Sequence, residues 1–337
     1  MGDAGNGAKR QIKQAGLNPA GLGAPHAKMD IFLQQLINGL VLGSVYALVA
    51  LGYTMVYGIL ELINFAHGEI TMMGAMVALA VIGALAVAAP GLPGGVILLA
   101  GLAVAIPVCM ALGMLIERVA YRPLRNAPRL APLITAIGVS IILQNIAMLI
   151  WGKQYISFPA ILPQGRHAVL GATISDTQIA ILVLSVLIML ALIGVVQKTR
   201  LGRAMRATAQ SRQVASLMGV DVNRVIASTF VIGSALAAIA GVMVSAYYGL
   251  AHYYMGFLLG LKAFSAAVLG GIGNLAGAML GGLLLGLIES FGAGYIGDLT
   301  GGFLGSNYQD VFAFFVLIAV LVFRPSGLLG VRVVERA

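Results

Sequence analysis

The sequence predicts an all-α fold: a polytopic membrane helix bundle of about eight or nine membrane elements, some broken or re-entrant. Three observations carry this. The chain is 60% hydrophobic and 9% charged, with mean hydropathy +0.99, whereas soluble domains carry roughly 25% charged residues. Its apolar residues fall in separate runs near the roughly 20 residues that a helix needs to cross a bilayer. Its 45 glycines among 337 residues are about twice the average share, many at the four-residue spacing that lets membrane helices approach closely.

Taken in order, residues 1–28 differ from all that follows. They are rich in Gly, Ala and polar residues and lack the apolar core of a signal peptide. Asn6 stands where myristoylation requires Ser or Thr. The expectation is a disordered tail, with Met29 as an alternative start, followed by a transmembrane domain over 29–337. Candidate spans are 31–56, 63–87, 96–116, 133–151, 179–196 and 226–248, then a broken region over 255–296 and a last span at 311–323. The broken region has room for a short half-helix plus a full one.

Charge then orients the spans. Arg118, Arg122, Arg125 and Arg129 share one loop, and Arg324, Arg332 and Arg336 lie near the C-terminus. Arginine-rich short loops lie on the cytoplasmic side, so both are expected there. Counting three spans back puts the N-terminus outside, while Lys9, Arg10, Lys13 and Lys28 argue for inside. A cytoplasmic C-terminus requires the broken region to cross twice or not at all. The same pattern makes the net charge of +9 a topology signal and excludes nucleic acid as a partner.

The loop 198–225 does more than set topology. It holds Lys198, Arg200, Arg203, Arg206, Arg212 and Arg224 against one acid, Asp221. It also carries Ala204, Ala207, Ala215, Leu217 and Met218 at helical spacing, ending at Gly219. A solvated loop needs no such face; a loop that docks on a cytoplasmic partner does.

Small-residue ridges appear at Gly39 and Gly43, at Gly273, Gly277 and Gly281, at Gly282 and Gly286, and at Gly233, Ala237, Gly241 and Ser245. They predict intimate helix crossings. Polar groups at membrane depth are rarer and expensive. They gather at Glu61 to Glu69, with Asn64 and His67 between, and at the 270–274 break, with Asn274, preceded by Lys262 and followed by Glu289. Both read as helix interruptions facing a cavity, so Asn64, His67, Glu69 and Asn274 are candidate pathway residues. For His67 and Glu69 the competing reading is a helix N-terminus at an interface.

Catalytic patterns are absent from the sequence. His26, His67, His167 and His252 form no HExxH and no pairing with the one cysteine, Cys109, so neither a metal site nor a catalytic residue is expected. The one Gly-Lys pair, Gly152-Lys153, is followed by Gln154, which rules out a phosphate-binding P-loop. No cofactor is expected in this chain; if transport is ATP-driven, the motor is another subunit.

At this point the residues carry a resemblance. The runs NGLVLGSVYALVALG (38–52), INFAHGE (63–69), AYRPLR (120–125), LGRAMRA (201–207), ASLMG (215–219), GGIGN (270–274) and FRPSGL (323–328) resemble, in order, the branched-chain amino acid ABC permeases. The resemblance covers almost everything after Met29. It implies a bacterial inner-membrane importer working with a second related permease, two cytoplasmic ATPase subunits and a periplasmic solute-binding protein. It also implies that the helix 204–219 inserts into a groove on the ATPase, with Arg203, Ala204, Ala207, Ala215 and Gly219 as coupling residues. Urea and short-amide importers belong to the same group, and these motifs do not separate them. An ion-coupled transporter or channel using Glu61, Glu69 and Glu289 is the alternative from another class.

Overall fold

The computed structural model describes residues 25–330 apart from 126, 129, 160, 162–164 and 302–307, and for 25–28, 298 and 299 the backbone alone. Arg129, Arg332, Arg336 and positions 1–24 of the expected tail lie outside the described residues. The first helix, α1 (Pro25–Leu60), starts before Met29.

α2 (Ala66–Ala88), α3 (Gly94–Ile116) and α4 (Leu130–Trp151) follow, with a π-helical turn Glu117–Tyr121 and a 3-10 turn Arg122–Leu124 between the last two. α5 (Asp176–Lys198) leads into two short helices, α6 (Arg200–Gln210) and α7 (Arg212–Leu217), and then into α8 (Val222–Tyr248). The broken region divides into α9 (Met255–Gly270) and α10 (Leu275–Leu299), and α11 (Gln309–Phe323) completes the bundle. Seven of these helices are long and apolar enough to cross a membrane, and α9 and α11 are shorter apolar helices. That makes nine apolar elements among the described residues, within the expected eight or nine.

The bundle has two distinct ends. At one, Arg212 reaches the end of α1, Tyr121 reaches Asn64, and Arg125 reaches Asn223 at the start of α8. This is the arginine end. At the other, β1 (Ile156–Ser157) pairs antiparallel with β4 (Leu250–Ala251), and β2 (Arg166–Val169) forms a hairpin with β3 (Ala172–Ser175). The hairpin turn uses positive φ at Leu170 and Gly171, and Gln34 of α1 bonds Thr173 there. Three antiparallel helices precede the first arginine turn, so α1 starts at the hairpin end. α9 and α10 run antiparallel, so the segment after α11 returns to the arginine end.

α1 is the centre of the molecule. Every residue from 41 to 56 is buried, as expected of a helix apolar on all faces. Its closest neighbour is α10, where a Cβ on Gly43 would stand 2.8 Å from the Leu283 backbone and one on Gly39 2.8 Å from Leu287 Cα. Glycine is what allows this approach. Gly277 and Gly281 do the same between α10 and α9, facing Gly270 and Ala266. Gly273 does not belong to that ridge. It has open space around it and φ +93°, so it is a turn glycine in the left-handed region. At the periphery, α4 and α5 turn Ile134, Leu149, Leu187 and Leu190 outward.

Candidate functional site: the arginine end of the bundle

The loop expected to form one helix over 204–219 is two helices broken at Ser211. That residue adopts extended backbone (φ −160°, ψ 115°), and its side chain accepts from Val214 N to start α7. α6 starts in the same way, with Thr199 Oγ1 accepting from Gly202 N at 3.0 Å. α7 ends in a Schellman motif: Gly219 N donates to Ser216 O and Val220 N to Ala215 O, both at 3.0 Å. This requires the φ of +81° at Gly219, which has no neighbour within 4 Å of a Cβ. The glycine is there for its backbone conformation.

The break redirects the faces. Ala215 is buried against the bundle, Ala204 is half-buried, and Ala207 and Arg203 are exposed. Val214, Leu217 and Met218 point outward, Leu217 being 86% exposed. They stand at i, i+3 and i+4, the spacing with which a helix lays anchors into an apolar groove. Arg200, Arg203 and Arg224 are exposed in the same connection. Of the apolar residues read together in the sequence, Leu217 and Met218 are therefore presented and Ala215 is used internally.

Two arginines fasten this surface to the helix ends beneath it. Arg212 donates from Nε to Ile59 O (3.0 Å) and from Nη2 to Leu60 O (2.7 Å), capping α1. Arg206 bonds Val196 O at the end of α5. Both place a cation on carbonyls at the negative end of a helix dipole. A third, Arg125, pairs with Glu117 and donates to Asn223 Oδ1 at 2.6 Å, tying the π-helical turn to α8. An apolar cavity of about 100 Å³ lies under α6, between Met55, Gly58, Val196, Met205, Thr229 and Gly273.

The α1–α2 corner lies just inside this end. Glu61 closes α1 at φ +54°. Asn64 accepts from the Tyr121 hydroxyl at 2.9 Å. The His67 ring sits edge-on to Tyr53 at 4.8 Å and packs over Gly52 and Gly233. Glu69 Oε1 accepts from Ser140 Oγ (3.0 Å) and Gln144 Nε2 (2.7 Å) of α4. All three are at most 2% exposed, and among the described residues Asn64 Nδ2, His67 Nε2 and Glu69 Oε2 have no hydrogen-bond partner. None of the three lines the cavity beneath α6. Neither His67 nor Glu69 caps α2, whose N-cap is Phe65 with no side-chain bond.

Asn274 is an N-cap. Its Oδ1 accepts from Gly277 N (3.2 Å), while Nδ2 donates to Leu329 O (2.9 Å). The segment after α11 returns here: Leu328 N and Leu329 N donate to Leu269 O and Gly270 O, both at 2.9 Å. These bonds satisfy carbonyls that the end of α9 would leave bare.

Deeper in the bundle, Lys262 bridges Glu289 (2.8 Å) and Asp310 (2.7 Å), and the Tyr46 hydroxyl donates to Glu289 Oε2 (2.9 Å). Pairing is the condition under which charges persist at such depth. Glu289 is therefore engaged in holding α1, α9, α10 and α11 together. Among the described residues no group of three or more His, Cys, Asp or Glu could hold a metal.

Residues 35–321 match the family model described as the branched-chain amino acid transport system / permease component. The chain belongs to that family. It is 50% identical over 310 residues to the high-affinity branched-chain amino acid transport system permease protein BraD of Pseudomonas aeruginosa, covering 90% of this chain and 98% of the relative. Identity to the corresponding LivH protein of Escherichia coli K12 is 47%, covering 90% and 97%. The autoinducer 2 import system permease protein LsrC of Photorhabdus laumondii is 32% identical over 144 residues, 42% of each chain. No solved structure matches. The chain is thus a multi-pass membrane permease component, a transport subunit rather than an enzyme.

The arginines at 206 and 212 and the tyrosine at 121 were not singled out for these contacts in the sequence. One signal was available for the arginines: both lie in the short polar connection between two spans, within reach of helix ends whose bare carbonyls an arginine suits.

Proposed function

We propose that this chain is the permease subunit of an ATP-binding-cassette importer, moving branched-chain amino acids inward across the inner membrane. It would act with a second related permease, two cytoplasmic ATPase subunits and a periplasmic solute-binding protein. The arginine end would be cytoplasmic, with the C-terminus on that side and the start of α1 outside.

The observation that carries this reading is the α6–α7 pair. It presents Val214, Leu217 and Met218 outward while Arg212 and Arg206 hold the carbonyl ends of α1 and α5. A force applied to that apolar knob reaches the central helix through a two-bond arginine fork. Arg203, Ala204, Ala207, Ala215 and Gly219 belong to the same element: Arg203 and Ala207 on its exposed face, Ala204 and Ala215 seating it, and Gly219 ending it. We assign Asn64, His67 and Glu69 to a gate whose polar groups are sequestered in this arrangement, with Asn274 holding the adjacent α9–α10 break. In the ion-coupled alternative Glu289 would have to bind and release a cation, but Lys262 already neutralises it.

The test uses the assembled transporter. Leu217→Glu with Met218→Glu should abolish co-purification of the ATPase subunits and ATP-driven leucine uptake, with membrane insertion retained. Undiminished uptake would refute the coupling role. Uptake competed by urea and not by leucine or valine would refute the substrate assignment alone.

A further inference from the structure

At the hairpin end, remote from the coupling surface, a polar cavity lies beside an apolar groove. The cavity, of about 300 Å³, is walled by Gln34, Arg166, Thr173, Thr177 and Tyr247 among others. The groove runs between α3, α5 and α8, over Leu98, Leu102, Ile181, Leu184 and Val242. Thr177 and Ala246 line both, so the two adjoin, a polar head beside an apolar tail.

The head carries an available positive charge. Arg166 is exposed and has no ion-pair partner among the described residues. The acid at the start of α5, Asp176, is engaged by His167 at 2.7 Å and by Gly165 N at 3.0 Å. The Gln34 amide is committed to Thr173 and Asn38, while Thr177 and Tyr247 add hydroxyls to the wall. The tail follows α5 from Thr177 to Leu184, roughly 10 Å along the axis at the α-helical rise. The neighbouring Val183, Val186 and Leu187 of that helix face outward, toward lipid. A cation and hydroxyls at the mouth of an apolar groove, at the end of a membrane-length helix, match a phosphate joined to a hydrocarbon chain.

We propose that this head and tail together hold one anionic phospholipid, its phosphate against Arg166 and one acyl chain between α3, α5 and α8. A free phosphate would fill only the head. A helix of the second permease would fill the groove, and the experiment separates that outcome.

The experiment is native mass spectrometry of the assembled transporter, delipidated and then equilibrated with vesicles of phosphatidylglycerol and phosphatidylethanolamine. The intact protein should retain one phosphatidylglycerol in preference to phosphatidylethanolamine. Arg166→Ala should reduce that preference by up to about five-fold, the upper worth of one exposed ion pair. Ala180→Trp, at the exposed rim of the groove, should remove the bound lipid whatever its headgroup and leave the subunits assembled. Retention unchanged in both variants overturns the proposal. So does displacement of the lipid by millimolar inorganic phosphate, which would make this an anion pocket. Loss of the second permease from the Ala180→Trp complex, with lipid retention unaltered, would make the groove a subunit contact instead.

Discussion

Replacing Gly281 by alanine adds one methyl group where α9 and α10 come closest. A Cβ there would overlap the Ala266 carbonyl oxygen and stand 2.7 Å from Gly270 N and 3.0 Å from Gly270 Cα. These are backbone atoms of the facing helix, so no side chain can rotate away. Opening the Gly270 N distance alone from 2.7 Å to an ordinary 3.4 Å displaces α9 by about 0.7 Å. The Ala266 oxygen demands more. Lys262 lies one turn before Ala266, and its 2.8 Å bond to Glu289 spans the same interface. The overpacking should destabilise the pair by about 1–3 kcal/mol, a factor of roughly 5–150 in the ratio of packed to unpacked bundle.

The assay is thermal stability of the detergent-solubilised complex, followed by size-exclusion fluorescence. Gly83→Ala and Gly138→Ala are the controls, since both sit inside helices with nothing within 4 Å of a Cβ. Each should be neutral or stabilising by up to about 1 kcal/mol, because alanine loses less chain entropy than glycine in a helix. A Gly281→Ala protein as stable as the parent would show that the α9–α10 crossing is wider than described. The reasoning from small-residue spacing to backbone contact would then fail at this crossing.

Other expectations follow from the arginine end. Arg212→Ala should lose the bonds to Ile59 O and Leu60 O and destabilise the loop by about 1.5–3 kcal/mol per charged hydrogen bond; Arg212→Lys should rescue uptake poorly because it lacks the fork. Equal uptake in the lysine variant and the parent would remove the case for a two-point tether. Gly219→Ala should weaken ATPase co-purification through its strained φ of +81°, and Gly219→Asn less so. Asn64→Cys, in a Cys109→Ser background, should resist a water-soluble thiol reagent at rest, as its 2% exposure implies, and be labelled during ATP turnover; no labelling under either condition would withdraw it from the gate. Glu69→Gln should slow leucine uptake with protein level unchanged, and unaltered uptake would assign the Ser140 and Gln144 bonds to structure alone.

Much of the fold was legible because hydrocarbon allows few solutions. Runs of about 20 apolar residues can only be helices there, and the 270–274 sequence announced its break through three glycines and an asparagine. The glycine ridges pointed to close crossings without saying which helices meet: Gly39 and Gly43 face Gly282 to Leu287, some 240 residues away, and spacing along one helix carries no partner information. Gly273 was read into a ridge because it keeps the four-residue period, yet its role is a positive φ. The break at Ser211 was the main local surprise. A serine inside a polar helical pattern can equally point to solvent or end one helix and cap the next, and the Arg212 contact with α1 that supports the second arrangement is not visible in the local sequence. The Lys262–Glu289–Asp310 bridge was illegible beyond its first two members, since Asp310 looks like an ordinary first-turn acid of α11.

The arginine end brings together what the sequence keeps apart. Arg212 in α7 holds the end of α1, and α1 is wedged against α10 at Gly39 and Gly43. α10 is pinned to α9 by the Gly277 and Gly281 contacts and to α11 by the charge bridge, while the segment after α11 closes the end of α9 through Leu328 and Leu329. Each joint is a backbone approach or a charged hydrogen bond, and neither stretches gradually: a close-packed crossing either holds or opens. In the coupling role proposed for this element, a tilt delivered at Leu217 would therefore move α1 and α10 together rather than bend α7 alone. The α1–α2 corner is the weak point in this frame, because Asn64, His67 and Glu69 each leave a buried polar atom without a partner among the described residues. Burying an unsatisfied group costs about 1–3 kcal/mol, so an arrangement that brings partners to these atoms offsets part of the cost of opening the corner where α1 ends. That is the physical case for putting the gate at this corner.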